Sequence, residues 1–471
     1  MKNKLVYKYI GKVLIAFATL MILPMIVCII YKENAWPFFI PAVISLCIGF
    51  ILNMLNTSNK LLYAKDGFII VALSWIIISL LGALPFLLNG DASFIDALFE
   101  AISGLTTTGA SAFENVEVLG NGIQFWRSFM HFIGGLGVLA FVMAIIPLSG
   151  NDKSMHVLKA EMPGPSIAKL VPGIKKTLMY LYGIYIFLIF VEVILLMFGG
   201  LSFFDSLLTA FSTAGTGGFT TLNSSMMTYS TFNKYVVAIF MFLFGINFNV
   251  YFLILMKDMK NALKSEELKV YIGMFIFSLL FILFNTYSMF NNIKEAFTQS
   301  FFHVSSIMTS TGASIGDINI YPTSCRILFL CLMLISACSG STCGGFKIAR
   351  LLIVGKTIKR ELLKAIHPNS IRSITFEGKK VDGDTVRSTC IYMLLYTIFL
   401  IAILFIVSFD NISLSKAINA TFTTFSNSGL CFELTNFADF SILSKLALSI
   451  GMLLGRLEIL PMMVLFSDIR K

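Results

Sequence analysis

Long apolar runs alternate with short polar stretches along the whole chain. A helix crossing a hydrocarbon core of roughly 30 Å needs about 20 consecutive apolar residues. Ten segments meet that need, near 10–30, 36–55, 67–89, 124–147, 177–198, 234–256, 269–290, 324–354, 385–408 and 442–466. The run Ile10 to Ile30 is too long for a signal-peptide core and lacks a small-residue cleavage site, so it reads as a retained span. The eighth segment contains Ser339-Gly340-Ser341-Thr342-Cys343-Gly344-Gly345, which does not suit a continuous helix. Irregular backbone at that depth is tolerated where it lines a cavity or is buried in protein.

Four connections between spans share a pattern. Each is moderately apolar, too short to cross, and ends in small hydroxyl residues and glycine. They align without gaps on Gly109, Gly218, Gly312 and Gly429. Six residues earlier stand Ser103, Ser212, Ser306 and Thr423, and thirteen earlier Asp96, Asp205, Gln299 and Lys416. The repeated unit is helix, short descending helix, hydroxyl-and-glycine turn, helix. Two further spans precede the first copy. The division is 1–65 for the accessory pair, then 66–150, 151–262, 263–370 and 371–471 for the four units.

Composition agrees with a bilayer. Of 471 residues, 57% are hydrophobic and 13% charged, against about 45–50% and about 25% in soluble globular chains. The net charge of +10 reads as topology, with no nucleic-acid role. If ten spans alternate, the N-terminal Lys residues, Lys60, Lys65 and the basic loops at 149–176, 257–269 and 347–387 all fall on one side. The positive-inside rule then makes both termini cytoplasmic. The eight Cys form no Cys-x-x-Cys pair and read as small packed hydrophobes.

The four turns supply chemistry for a monovalent cation. Potassium-channel filters use four segments whose carbonyl oxygens replace the ion's hydration shell. Glycine opens the backbone regions that inward carbonyls require. Thr and Ser add uncharged oxygens, and a short helix ending at the site aims its negative dipole at the ion. None of the turns holds Asp or Glu. The candidate filter residues are Thr106, Thr107, Thr108 and Gly109; Gly215, Thr216, Gly217 and Gly218; Thr309, Ser310, Thr311 and Gly312; and Ser426, Asn427, Ser428 and Gly429. The bland alternative, ordinary outside turns, fits one copy better than four.

The strip in the eighth segment suits a movable barrier, with Gly340, Ser341, Thr342, Gly344 and Gly345 as its residues; a simple packed kink is the alternative. Arg456 stands in the last span, where a charge is costly. It faces the pore as an electrostatic barrier, or it is paired with a carboxylate or with loop carbonyls. Gly355-Lys356-Thr357 lacks the first glycine and the strand of a P-loop. No HExxH pair or catalytic triad is present, and the expectation is a protein that is not an enzyme. His303 reads as hydrogen-bonded and structural. Only Glu192 and Glu458 lie deep within spans, which disfavours a carboxylate-driven solute transporter. A sensor without transport is a further rival.

Thr106-Thr107-Thr108-Gly109-Ala110, His131 to Gly137, Ala160 to Pro165, Gly340 to Lys347 and Gly455-Arg456-Leu457-Glu458 together resemble the TrkH branch of the Trk/Ktr/HKT cation transporter superfamily. The likeness spans essentially the whole chain. It implies an all-α membrane protein with four pseudo-repeated helix–re-entrant loop–helix units around one pore, plus two accessory helices. It implies potassium uptake across a prokaryotic inner membrane by a homodimer, with potassium as the transported ion, no organic cofactor, and a TrkA-like nucleotide-binding cytoplasmic subunit. The 339–345 strip becomes the gate loop, which Arg456 helps close. Gly109 favours potassium, since relatives with Ser there pass sodium. Turns three and four depart from the family pattern at Ser310 and after Asn427 while keeping the key glycine. A sodium-permeable or ion-coupled symporter of the same superfamily is the alternative.

Overall fold

The computed structural model describes residues 4–55, 64–137, 174–290, 292–369, 372–434, 436–457 and 459–467. Helix dominates these residues. Their sheet is one two-stranded hairpin, Thr375–Phe376 against Lys379–Lys380. Among the described residues, six helical segments are long and apolar enough to cross a membrane: Lys4–Ile30, Trp36–Asn53, Lys65–Asn89, Met179–Phe198, Glu266–Met289 and Gly383–Asp410. Their outward faces carry bare aromatics, with Phe198 81% and Phe284 78% exposed. Surface of that kind belongs against lipid.

The ten expected spans are therefore not ten straight helices. In units one, two and three the second helix is short or interrupted. Asn121–Leu136 ends at Gly137, whose φ is 76°. The 234–256 segment, expected as one span, is Thr231–Phe244 and Phe248–Leu255, bent by 90°. Thr323–Ile335 and Ile348–Ile366 flank the strip. Ile442–Leu457, which carries Arg456, and Ile459–Ser467 lie on either side of residue 458, which is outside the described residues. Apolar composition alone does not reveal such breaks. What permits the 90° bend is a set of backbone partners: Phe248 donates to the Gly340 carbonyl (3.1 Å), and Cys338 donates to that of Gly245 (3.2 Å).

Four short helices descend between the spans: Phe94–Leu105, Phe203–Gly215, Ile293–Met308 and Leu414–Phe425. Ser93, Ser202, Asn292 and Ser413 cap them, each side chain accepting from the backbone N–H three residues on. In units one, two and four that N–H belongs to Asp96, Asp205 and Lys416. A backbone donor serves there, so the side-chain charge is free to differ. The third helix starts one turn earlier, which places Gln299 inside it.

The leading pair is held by glycine. A Cβ on Gly11 would stand 2.7 Å from the Gly49 carbonyl oxygen, and one on Gly49 would stand 2.8 Å from that of Gly11. The two backbones therefore touch, as small-residue contacts between membrane helices allow. Glu33, at the turn between the pair, accepts from the N–H groups of Asn121 (2.7 Å) and Gly122 (2.8 Å). It thereby caps the second helix of unit one and complements its dipole. The pair is a brace for unit one.

Replacing Gly49 with Leu must force these helices apart. The expected cost is about 1–3 kcal/mol, read as a lower unfolding temperature in detergent, with ion discrimination unchanged. An unaltered unfolding temperature would show that the contact is slack.

Candidate functional site

The four turns close into a ring. Thr107, Thr216, Ser310 and Asn427 all adopt left-handed φ, from 55° to 57°. Two residues later Gly109, Gly218, Gly312 and Gly429 do so again, from 70° to 81°. In each turn the residue just before the glycine donates its N–H to the carbonyl six before the glycine: Thr108 to Ser103 (2.8 Å), Gly217 to Ser212 (2.9 Å), Thr311 to Ser306 (2.8 Å) and Ser428 to Thr423 (2.8 Å). The aligned hydroxyl position thus serves first through its backbone. Its side chain adds a second tie in two units, Ser306 to the Ala313 carbonyl (2.6 Å) and Thr423 to that of Leu430 (2.8 Å).

Each key glycine meets the next unit. A Cβ on Gly109 would collide with the Gly217 carbonyl oxygen, on Gly218 with that of Thr311, on Gly312 with that of Ser428, and on Gly429 with that of Thr108. The order is one, two, three, four and back to one. Four carbonyls preceding the glycines are thereby brought to a common level. A second ring, in the same order, lies among the loops beyond. Val116 donates to Asn223 (2.8 Å), Met226 to the Ser314 carbonyl (3.0 Å), Glu433 to Asn319 (2.9 Å) and Phe437 to the Ser111 carbonyl (2.8 Å).

The ring is not symmetric. Units one and three carry paired hydroxyls, Thr106 with Thr108 and Thr309 with Thr311, each 2.8 Å apart. Unit two has Gly215 and Gly217 at those positions because His131 fills the space. A Cβ on Gly217 would strike the His131 ring, and one on Gly215 its carbonyl. Of the expected filter residues, Gly215 thus ends a helix and packs behind the ring. Thr107 and Ser428 hold buried hydroxyls with no hydrogen-bond partner among the described residues. Asn427 crosses to unit one, donating to the Thr108 hydroxyl (2.9 Å) and to the Met452 carbonyl (2.9 Å).

The strip lies against the ring, buried except at Gly340 and Ser341. Its ends meet: Phe346 donates to the Leu334 carbonyl (3.0 Å) and Lys347 to that of Ile335 (2.9 Å). Ser336 and Ser310 share a hydrogen bond (2.7 Å), and Thr216 donates to the Thr342 carbonyl (3.2 Å). A Cβ on Gly344 would stand 2.6 Å from the Ser426 carbonyl oxygen. The strip therefore touches turns two and four, and Ser336 just before it touches turn three. Arg456 reaches the same Thr342 carbonyl (2.6 Å) and that of Gly134 (2.6 Å). Loop and helix-end carbonyls thus hold the guanidinium, one of the expected pairings. Glu458 and the stretch Ala160 to Pro165 lie outside the described residues. Glu192 is fully buried in the first long helix of unit two, and His303 meets Tyr321 (2.8 Å) and Ser314 (3.3 Å).

Sequence reasoning missed Glu100 and Arg127. Both are buried, 2.8 Å apart. Glu100 accepts from the Ala112 N–H (2.9 Å), and Arg127 donates to the Thr220 carbonyl (3.2 Å) while its guanidinium lies 4.2 Å from the Phe219 ring centre. The pair fastens the segments just after Gly109 and Gly218 together. A signal was available: opposite charges at depth in two consecutive helices of one unit.

Four short helices ending on an uncharged, oxygen-lined ring inside a bundle of apolar spans define a multi-pass membrane transport protein. The chain belongs to the TrkH family, whose model, described as a cation transport protein, matches residues 36–470. It is 32% identical to the Trk system potassium uptake protein TrkH of Salmonella typhimurium, covering 99% of both chains. It is also 32% identical to TrkG of Escherichia coli, over 95% of this chain and 94% of that one. The crystal structure of the potassium transporter TrkH from Vibrio parahaemolyticus superposes with a TM-score of 0.89 at 27% identity, covering 99% of this chain and 98% of that one. Membership of a cation-transport family makes this a transporter and not an enzyme.

Arg127→Ala leaves the buried Glu100 carboxylate without its cation. The expected loss is about 3–5 kcal/mol, measured by thermal unfolding, with the double variant Glu100→Gln, Arg127→Met recovering part of it. Equal losses in the single and double variants would refute the pairing.

Proposed function

We propose that this protein takes up potassium ions across a prokaryotic inner membrane, with both termini cytoplasmic. The ion passes through the ring of turns, where the carbonyls of Thr108, Gly217, Thr311 and Ser428 and the nearby hydroxyls replace its water. The observation that carries this reading is the closed order of glycine-to-carbonyl approaches around four units. Neutral oxygens at one level suit a large monovalent cation. The helix ends that stop three or four residues short of each key glycine add negative potential without a carboxylate. The names of the curated relatives, which are potassium uptake proteins, support the same ion.

The strip 339–345 is the gate in this reading. It lies against two of the four turns, and Arg456 ties its Thr342 carbonyl to the second helix of unit one. A guanidinium there opposes a cation in transit. Opening must break that tie, and a TrkA-like cytoplasmic subunit is the partner that would drive it. We assign the working unit as a homodimer with one pore per chain, in line with the family resemblance.

Two experiments on the purified chain in liposomes test these roles. In the first, fluxes of potassium, rubidium, sodium and lithium are compared for wild type and Gly109→Ser. The new side chain must push the Gly217 carbonyl off the ring, so discrimination against sodium is expected to fall about tenfold or more, the loss of one well-placed oxygen contact. Equal potassium and sodium fluxes in wild type would instead favour the sodium-permeable reading. In the second, Arg456→Ala is expected to raise basal potassium flux by a similar factor. A decrease would assign Arg456 to holding the ring rather than to closing the strip.

A further inference from the structure

An unbroken set of hydrogen bonds runs from the strip to the hairpin at 375–380, on the side that charge assigns to the cytoplasm. Glu267 stands at its centre. It lies in the first turn of Glu266–Thr286 and is 2% exposed. One carboxylate oxygen accepts from the Ser339 N–H at 2.6 Å. The other accepts from the Asn247 side chain at 3.2 Å. Asn247 occupies the 90° bend of unit two and caps the helix beyond it by accepting from Asn249 (3.0 Å). One carboxylate thus ties down both the strip and the bend that the strip supports.

The other side of Glu267 is tied to the hairpin. Its own backbone N–H donates to Glu377 at 3.1 Å, and the Ser265 hydroxyl donates to the same carboxylate oxygen at 2.8 Å. Glu377 and Gly378 form the hairpin turn, both with left-handed φ, of 49° and 72°, as a two-residue turn of this kind requires. Lys356, on the helix that leaves the strip, bonds Glu266 and also donates to the Thr375 carbonyl (2.8 Å). Ile374 and Phe376 bury themselves against Ala349 and Ile353 of that helix and against Val386. The hairpin is therefore fixed by apolar contact to the helix downstream of the strip. By polar contact it is fixed to the helix that holds the strip in place.

We propose that Glu267 is a positioning residue that latches the strip closed, and that the hairpin is the handle by which force from the cytoplasmic side releases it. The proposal rests on reading the strip as a gate. A displacement of the hairpin or of Ile348–Ile366 pulls Glu377 away from the start of Glu266–Thr286. Glu267 then shifts relative to Ser339, and the strip loses its charge-assisted bond. A cleft beside the latch, lined by Asn247, Asn261, Ser265, Glu377, Lys379 and Lys380 among others, gives a partner access to the same junction.

Basal rubidium flux into liposomes carrying the full chain is the test. Loss of one charge-assisted bond shifts a two-state balance by about tenfold or more, so Glu267→Ala is expected to raise basal flux by about that factor. Glu267→Gln keeps one acceptor for the Ser339 N–H but loses the charge and the second acceptor that meets Asn247, so it is expected to give a smaller increase than the alanine variant. Glu377→Ala, outside the spans, is expected to give an intermediate increase and serves if Glu267→Ala does not fold. Unchanged flux in both alanine variants overturns the latch, as does an equal increase in Glu267→Gln. A variant lacking Ser341 and Thr342 separates the two readings. If it leaks while both alanine variants stay silent, the latch fails and the gate survives. If it too stays silent, both readings fall.

Discussion

The structure turns on how closely each key glycine approaches the carbonyl oxygen of the next unit. That contact is made four times and returns to its start. Any side chain would break it, and the left-handed φ at the same residues makes a side chain costly there in any case. Steric need and conformational need coincide at one atom. The rest follows as support. Each turn is fixed by a bond to the carbonyl six residues before its glycine. That carbonyl belongs to a short helix whose start is fixed by a Ser or Asn cap. Position therefore passes from cap, to helix, to turn, to ring, with little slack at any stage.

How much of this could be read from the sequence depended on whether a feature repeated. Gly109, Gly218, Gly312 and Gly429 were legible because four gap-free copies share one backbone need. The departures from symmetry were not. Gly215 and Gly217 look like extra filter glycines in the sequence, yet in space they make room for His131. No pattern within unit two says so, because the intruding ring comes from a residue about 85 positions earlier in unit one. The bend at 245–247 was equally hidden. Phe, Leu and Val fill both sides of it, and hydropathy does not register a change of direction. Its signal is the Asn-x-Asn at Asn247 and Asn249, which reads as a cap only once the helix is known to stop.

The interrupted helices and the buried charges belong together. A straight apolar helix satisfies its own backbone; a broken one leaves N–H and C=O groups bare at a depth where water is scarce. Arg456 donates to two such carbonyls, Thr342 and Gly134. Glu267 accepts from one such N–H, at Ser339, and Glu100 from another, at Ala112. Each charge reaches a backbone group where the chain departs from regular structure. Composition alone would rank these residues as expensive anomalies. In place, each offsets the cost of an irregular segment, and the irregular segment offsets the cost of burying the charge.

This mutual dependence also sets where motion can occur. The ring is held by glycine contacts, a second ring of loop bonds and the Glu100–Arg127 pair, all within or between neighbouring units. Removing one of these leaves several others in the same plane. Two of the strip's ties end on single charged side chains, Arg456 and Glu267. A segment held by a few charge-assisted bonds can be released by a change at one point, whereas a surface held by many cannot. On the proposed reading of the strip as a gate, the same polypeptide combines a rigid ring with a strip that can yield directly against it. The difference lies in how many independent contacts each would have to lose.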